Sequence, residues 1–146
     1  MRYALILLLQ FALVSAAIAA DWTRVDIPNT ADEYFFDRSK LVVNGNEVTY
    51  WKKVLFTPPR PVKKLLASSS LMREHIDCRE HTLRLLSFLY YDAQGAVIEY
   101  VAEAEKEGSP IIPDTVGDKF ERVMCALARE SGPFPPIAPT MKPYAL

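Results

Sequence analysis

His75-Ile76-Asp77-Cys78-Arg79-Glu80-His81 concentrates more potential chemistry than any other stretch of this chain. Two imidazoles at equal spacing from a thiol are ligand types that zinc or copper accepts. Their spacing works against that use if the segment is extended. Residues three apart on a strand point to opposite faces, so Cys78 turns away from both histidines. The other cysteine, Cys125, offers a different chemistry. Two cysteines in an oxidising compartment favour a disulfide, and only one intramolecular pairing exists. Closing a loop of about fifty residues stabilises a fold by roughly 4 kcal/mol in the chain-entropy model. We therefore expect a Cys78–Cys125 bridge, with no metal site and no cofactor.

Other reactive side chains are scattered. Ser68, Ser69 and Ser70 precede His75, but no G-x-S-x-G elbow is present and nothing supplies the third group that orients a base. Glu103, Glu105 and Glu107 align on one face if their segment is a strand, where a solvated charged edge is expected. Calcium wants six or more oxygens from a curved loop. The chain therefore reads as a non-enzyme. Its most distinctive charge feature is a run of cations, Lys52, Lys53, Arg60, Lys63 and Lys64, with no acidic residue between them. Such a run can form a binding patch for a sulfated polysaccharide, a lipid phosphate or an acidic partner. It can equally be an edge strand blunted by lysine and proline against intermolecular pairing.

The compartment is read from the N-terminus. Arg2 precedes an apolar run over residues 3–14, then small residues 15–20, then Asp21-Trp22-Thr23-Arg24. This is the pattern of a secretory signal peptide with its exit at Ala17-Ile18-Ala19, and residues 1–19 are expected to be removed. No cysteine stands near that exit to accept lipid, so the product is expected in the periplasm or secreted, not as a lipoprotein and not inserted in a membrane. Half the residues are hydrophobic and 24% charged, which is ordinary globular material. A net charge of -1 gives no global case for binding nucleic acid.

The elements that must position these residues are mostly strands. Short apolar segments occur at Trp22, Val25 and Ile27 and at Tyr34-Phe35-Phe36-Asp37. Asn44-Gly45-Asn46 marks a hairpin between Leu41-Val42-Val43 and a return strand over residues 47–56. Thr57-Pro58-Pro59-Arg60-Pro61 is expected to end that strand. Residues 65–77 fit a helical turn or an edge strand. Residues 82–91 are apolar on both faces, with Leu83, Leu85, Leu89 and Tyr91 on one side, so a central strand covered on both faces is expected. Asp92-Ala93-Gln94-Gly95 turns it into a strand over residues 96–102. A helix follows Thr115-Val116-Gly117-Asp118, with Val116, Phe120, Val123, Met124 and Leu127 as its apolar stripe. Pro133, Pro135, Pro136, Pro139 and Pro143 forbid a regular element beyond it, and residues 131–146 are expected to form a flexible proline-rich tail.

The order of these features resembles the bacterial surface-adhesin E domain. The matching positions are Trp22, Tyr34-Phe35-Phe36-Asp37, Leu41, Asn44-Gly45-Asn46, Val48, Trp51, Asp77-Cys78, Leu89-Tyr90-Tyr91, Gly95, Ile112-Pro113-Asp114-Thr115 and Cys125. The resemblance implies an α+β fold over residues 20–130: an antiparallel sheet of about five or six strands, one C-terminal helix, a single disulfide and no enzymatic activity. It also implies a binding role toward a host matrix protein, and the basic run adds a polysaccharide or an envelope component as expected partners. A periplasmic housekeeping domain holding an envelope component or a small ligand is the alternative.

The covalent expectation is testable directly. Exported protein should contain no free thiol, and digestion without reductant should release a Cys78–Cys125 linked peptide. Cys125→Ser should lower stability by about 2–5 kcal/mol in denaturant titration.

Overall fold

A computed structural model describes residues 19–131 of the chain. The expected leader and tail lie outside that range, except for Ala19 and Ser131, and Ser131 is the last residue of the helix. The order of elements is β1 (Trp22–Val25), β2 (Glu33–Asp37), a 3-10 turn (Arg38–Lys40), β3 (Val42–Asn44), β4 (Glu47–Val62), β5 (Leu65–Asp77), β6 (Thr82–Tyr91), β7 (Val97–Ala102), β8 (Ser109–Pro110) and α1 (Val116–Ser131). All strands pair antiparallel in one sheet of order β1-β2-β4-β5-β6-β7. β3 lies beside β4 and β8 beside β6. The sheet has eight strands, more than expected, because β3 and β8 are short pieces and residues 65–77 form a full strand. Gly45 takes φ +59 in the two-residue turn from β3 to β4, the conformation a primed turn requires at that place.

Three local expectations are corrected. β4 does not stop at Thr57 but continues through the prolines to Val62, pairing with β5 again at Arg60↔Ala67 after a register shift. The shift lets the chain pass residues that cannot donate to the ladder. In β6 a second shift pairs Arg73 with Ser87 but Glu74 with Leu85, leaving Leu86 unpaired. Alternation is broken there, so Leu83 and Leu85 lie on the face opposite to Leu89 and Tyr91. β6 is interior to the sheet, yet none of its residues is buried, so it lacks the expected cover on both faces. Finally, Glu103, Glu105 and Glu107 follow the end of β7 and are not strand residues.

The helix packs on one face only. Val48, Tyr50, Ile76, Phe120 and Met124 are fully buried there, with Tyr50 and Phe120 stacked at 5.7 Å between ring centroids. Thr115 Oγ1 accepts from the Asp118 N–H at 3.3 Å, and the Asp118 carboxylate accepts from the Asp114 N–H at 3.1 Å, so the start of α1 is satisfied from both sides. Arg122 donates twice to Asp118 and holds its carboxyl below the usual range. The Cys78–Cys125 disulfide bonds α1 to the end of β5, with the Cα atoms 5.8 Å apart.

Charge sits inside this core. Lys52 is 8% exposed and Glu74 only 3%, and they form an ion pair. Tyr50 donates to the other Glu74 oxygen at 2.5 Å, and the ammonium lies 5.2 Å from the centre of the Phe120 ring. Burial, then the Glu74 charge and hydrogen bond, push the Tyr50 phenol well above its ordinary pKa and keep it a donor. Removing one member of a buried pair strands the other charge. Lys52→Met should therefore destabilise the fold by about 3–5 kcal/mol, and adding Glu74→Leu should restore much of that loss in urea titration.

Candidate binding surface

The pleat sends alternate residues of every strand away from α1. Pairing then aligns Arg24, Phe35, Lys53, Leu71, Leu89 and Tyr100 in one row across β1, β2, β4, β5, β6 and β7. A parallel row on this face holds Glu33, Leu55, Ser69, Tyr91 and Val97. Another holds Trp51, Arg73, Ser87 and Ala102, and a shorter one Thr49, His75 and Arg84. No helix among the described residues covers these rows, since α1 packs on the opposite face. Leu55, Val97 and Tyr100 are exposed, and most of the remainder are half-buried by one another. The face is thus aromatic and aliphatic, threaded with cations.

Its side chains are partly ordered by each other. The Lys53 ammonium stands 4.5 Å from the Trp22 ring centre and 5.3 Å from that of Phe35. Such contacts contribute about 0.5–1 kcal/mol each at an exposed site. Two shallow hollows meet at Arg73. One, of about 290 Å³, lies between the 3-10 turn and β4 and includes Lys40, Thr49 and Trp51. The other, of about 520 Å³, lies over β6 and β7 and includes Arg84, Tyr100, Glu103 and Lys106.

The five cations singled out in sequence do not form one patch. Lys52 is buried and paired with Glu74, because it alternates with Lys53 and faces α1. Lys53 joins the open face. Arg60 pairs with the buried Asp32 carboxylate, which also accepts from the Thr57 N–H at 2.9 Å, and its guanidinium lies 4.7 Å from the Phe56 ring centre. Lys63 pairs with Glu99 at 3.1 Å, and Lys64 is exposed in the β4–β5 turn. No local pattern marks Arg73, Arg84, Trp51 and Tyr100 as neighbours; strand pairing brings them together. The nearest signal is period-two spacing in β5 and β6, but it is interrupted at Leu86 and emerges only once residues 65–77 are known to be a strand.

The reactive segments resolve simply. The Cys78 sulfur is bonded to Cys125, His75 Nδ1 is 3.0 Å from Thr49 Oγ1, and His81 Nδ1 is 2.6 Å from Glu121 Oε1. Among the described residues no three potential ligands converge on a metal position. Ser68 donates to the Asp92 carbonyl at 2.7 Å and Ser70 is fully buried, so neither faces His75.

A model of the family described as "Surface-adhesin protein E" matches residues 22–126. The chain belongs to the surface-adhesin protein E family. It is accordingly a surface-adhesin-like protein. Solved structures of Haemophilus influenzae protein E share the fold. One has a TM-score of 0.52 at 17% identity, covering 75% of this chain and 89% of that one. A second crystal form scores 0.50 at 20% identity, covering 66% and 82%. Protein E from non-typeable Haemophilus influenzae scores 0.50 at 19% identity, covering 75% and 78%. No curated protein matched the sequence. The family match spans the sheet from β1 and most of α1, including both cysteines. Among the described residues, no helix is long and apolar enough to cross a membrane.

The separate fates of the cations lead to a graded expectation. Lys64→Glu should change the melting temperature little, since exposed charges contribute within about 0.5 kcal/mol, whereas Lys53→Glu should cost about 1–2 kcal/mol by removing the ammonium from over the Trp22 and Phe35 rings. Arg60→Glu should cost more, about 1–3 kcal/mol, because it sets a carboxylate against buried Asp32. Thermal denaturation followed by circular dichroism checks the order.

Proposed function

We propose that this chain is an exported, non-catalytic binding domain that contacts a host or envelope macromolecule through the sheet face turned away from α1. The observation carrying this reading is the row Arg24–Phe35–Lys53–Leu71–Leu89–Tyr100, which crosses the whole sheet with no helix over it. Contiguous apolar surface rimmed by polar groups marks interaction sites on soluble proteins. Aromatic rings and arginine are the residue types that dominate binding energy at such sites. Family membership supports an adhesin-like role, and the N-terminal pattern at residues 1–19 supports export with removal of the leader. Lys63 and Lys64 at the β4–β5 turn add positive charge at one end of the sheet, as the remainder of the basic patch.

Purified mature protein should bind immobilised matrix or an envelope fraction, and its N-terminus should be Ala20. Lys53→Glu, Leu55→Glu and Val97→Glu together charge the open face without touching α1 or the disulfide. This variant should lose binding while keeping its circular dichroism spectrum. Retained binding with the face so altered would refute the assignment.

A further inference from the structure

The two hollows lie side by side across the strands and share Arg73 as a common wall, so together they trace a groove path from Lys40 and Trp51 past Arg73 to Arg84 and Tyr100. From β4 to β7 it crosses three inter-strand steps, about 14 Å. Four cations line the hollows, Lys40, Arg73, Arg84 and Lys106, and among the described residues none of the four has an acidic partner within ion-pair distance. Arg84 donates through Nη1 to the Lys106 carbonyl at 3.3 Å, while its Nε is buried without a partner. The other guanidinium N–H groups of Arg84, and those of Arg73, offer charge-assisted donors to an oxyanion. Arg73, by contrast, is exposed and free to close on the same anion. Trp51 lies across the strand pair from Arg73, and Tyr100, 60% exposed, borders the second hollow.

We propose that this groove binds an acidic polysaccharide, with Arg73 and Arg84 holding its carboxylate or sulfate groups and the Trp51 and Tyr100 rings receiving the apolar faces of its sugars. The proposal rests on the open face being the binding surface and names the ligand class that face takes. Two features select a sugar chain over an acidic peptide. The groove runs perpendicular to the strands and follows no unpaired edge, so an extended peptide cannot add to the ladder there. Its walls are flat rings beside charged forks, which suits a chain with alternating apolar faces and anionic substituents. Glu103 and Glu105 close the far end. Glu105 is tied to the Leu85 N–H at 3.0 Å, whereas Glu103 is exposed at the rim and repels a polyanion.

The test uses full-length mature protein and a fluorescent heparin-derived oligosaccharide, with its desulfated form and poly-glutamate of equal length as comparisons. Binding to the sulfated probe should be measurable at low salt and should weaken as added salt shortens the Debye length from about 10 Å at 0.1 M. Arg73→Gln with Arg84→Gln should weaken it about tenfold or more, the scale expected for losing charge-assisted forks. Trp51→Ala with Tyr100→Ala should weaken it as well, and Glu103→Gln should strengthen it. Melting temperatures identify any variant that fails to fold, and Arg73→Lys, which keeps the charge but loses the fork, should be intermediate. Poly-glutamate binding as tightly as the sulfated probe would overturn the polysaccharide in favour of an acidic peptide. Undiminished binding by the double arginine variant, or no binding at low salt, would overturn the groove. In that event, loss of matrix binding in the Lys53, Leu55 and Val97 variant would still stand for the open face, which separates the two failures.

Discussion

Among the described residues, one helix has to cover a sheet that is far larger than itself. α1 has 16 residues, so it is about 24 Å long and about 10 Å wide. The sheet is six strands across, about 24 Å, and β4 alone has 16 residues at about 3.3 Å each. The helix can therefore dry out only part of one face. That limit sets the position of the core under Phe120 and Met124, and it explains why β6 is interior to the sheet without a single buried residue. Beyond the helix, Val54, Phe56 and Ala67 bury themselves with help from Tyr90 and Ile98 in a second, smaller cluster.

The disulfide matters because so little holds the helix down. It joins α1 to β5 across 47 residues of sequence, at the end of the strand that carries Glu74 and Ile76. Fixing that point brings Phe120 over Tyr50 and shields the Lys52–Glu74 pair from water. A buried ion pair is weak evidence for stability, since desolvation offsets much of the Coulombic gain. Its geometric consequence is firmer. With Tyr50 on one Glu74 oxygen and Lys52 on the other, both strands are held in register beneath the helix, and Lys52 is withdrawn from any surface role.

The face without a helix solves its exposure with mixed chemistry. Cations sit over rings, as Lys53 does over Trp22 and Phe35, so that large apolar side chains are shared between water and each other. A face built in this way stays soluble while presenting rings and arginines together, the combination that binding surfaces draw on.

Local signals in the sequence were enough to determine the hairpin at Gly45, the capped helix with its apolar stripe, and a bridge between the two cysteines. Each depends on neighbours along the chain or, for the bridge, on there being only one possible partner. The α+β class was what the resemblance to the surface-adhesin E domain implied. What they could not determine is which side of the sheet each residue faces. Lys52 and Lys53 look alike in sequence, but one pleat separates a buried ion pair from a half-buried cation on the open face. The unpaired Leu86 reverses the facing of half of β6, and Arg60 finds Asp32 only because β4 continues past its prolines. The grouping of Trp51, Arg73, Arg84 and Tyr100 was likewise decided by tertiary structure. Those residues come from four strands, and register between strands is a property of pairing that no single segment contains.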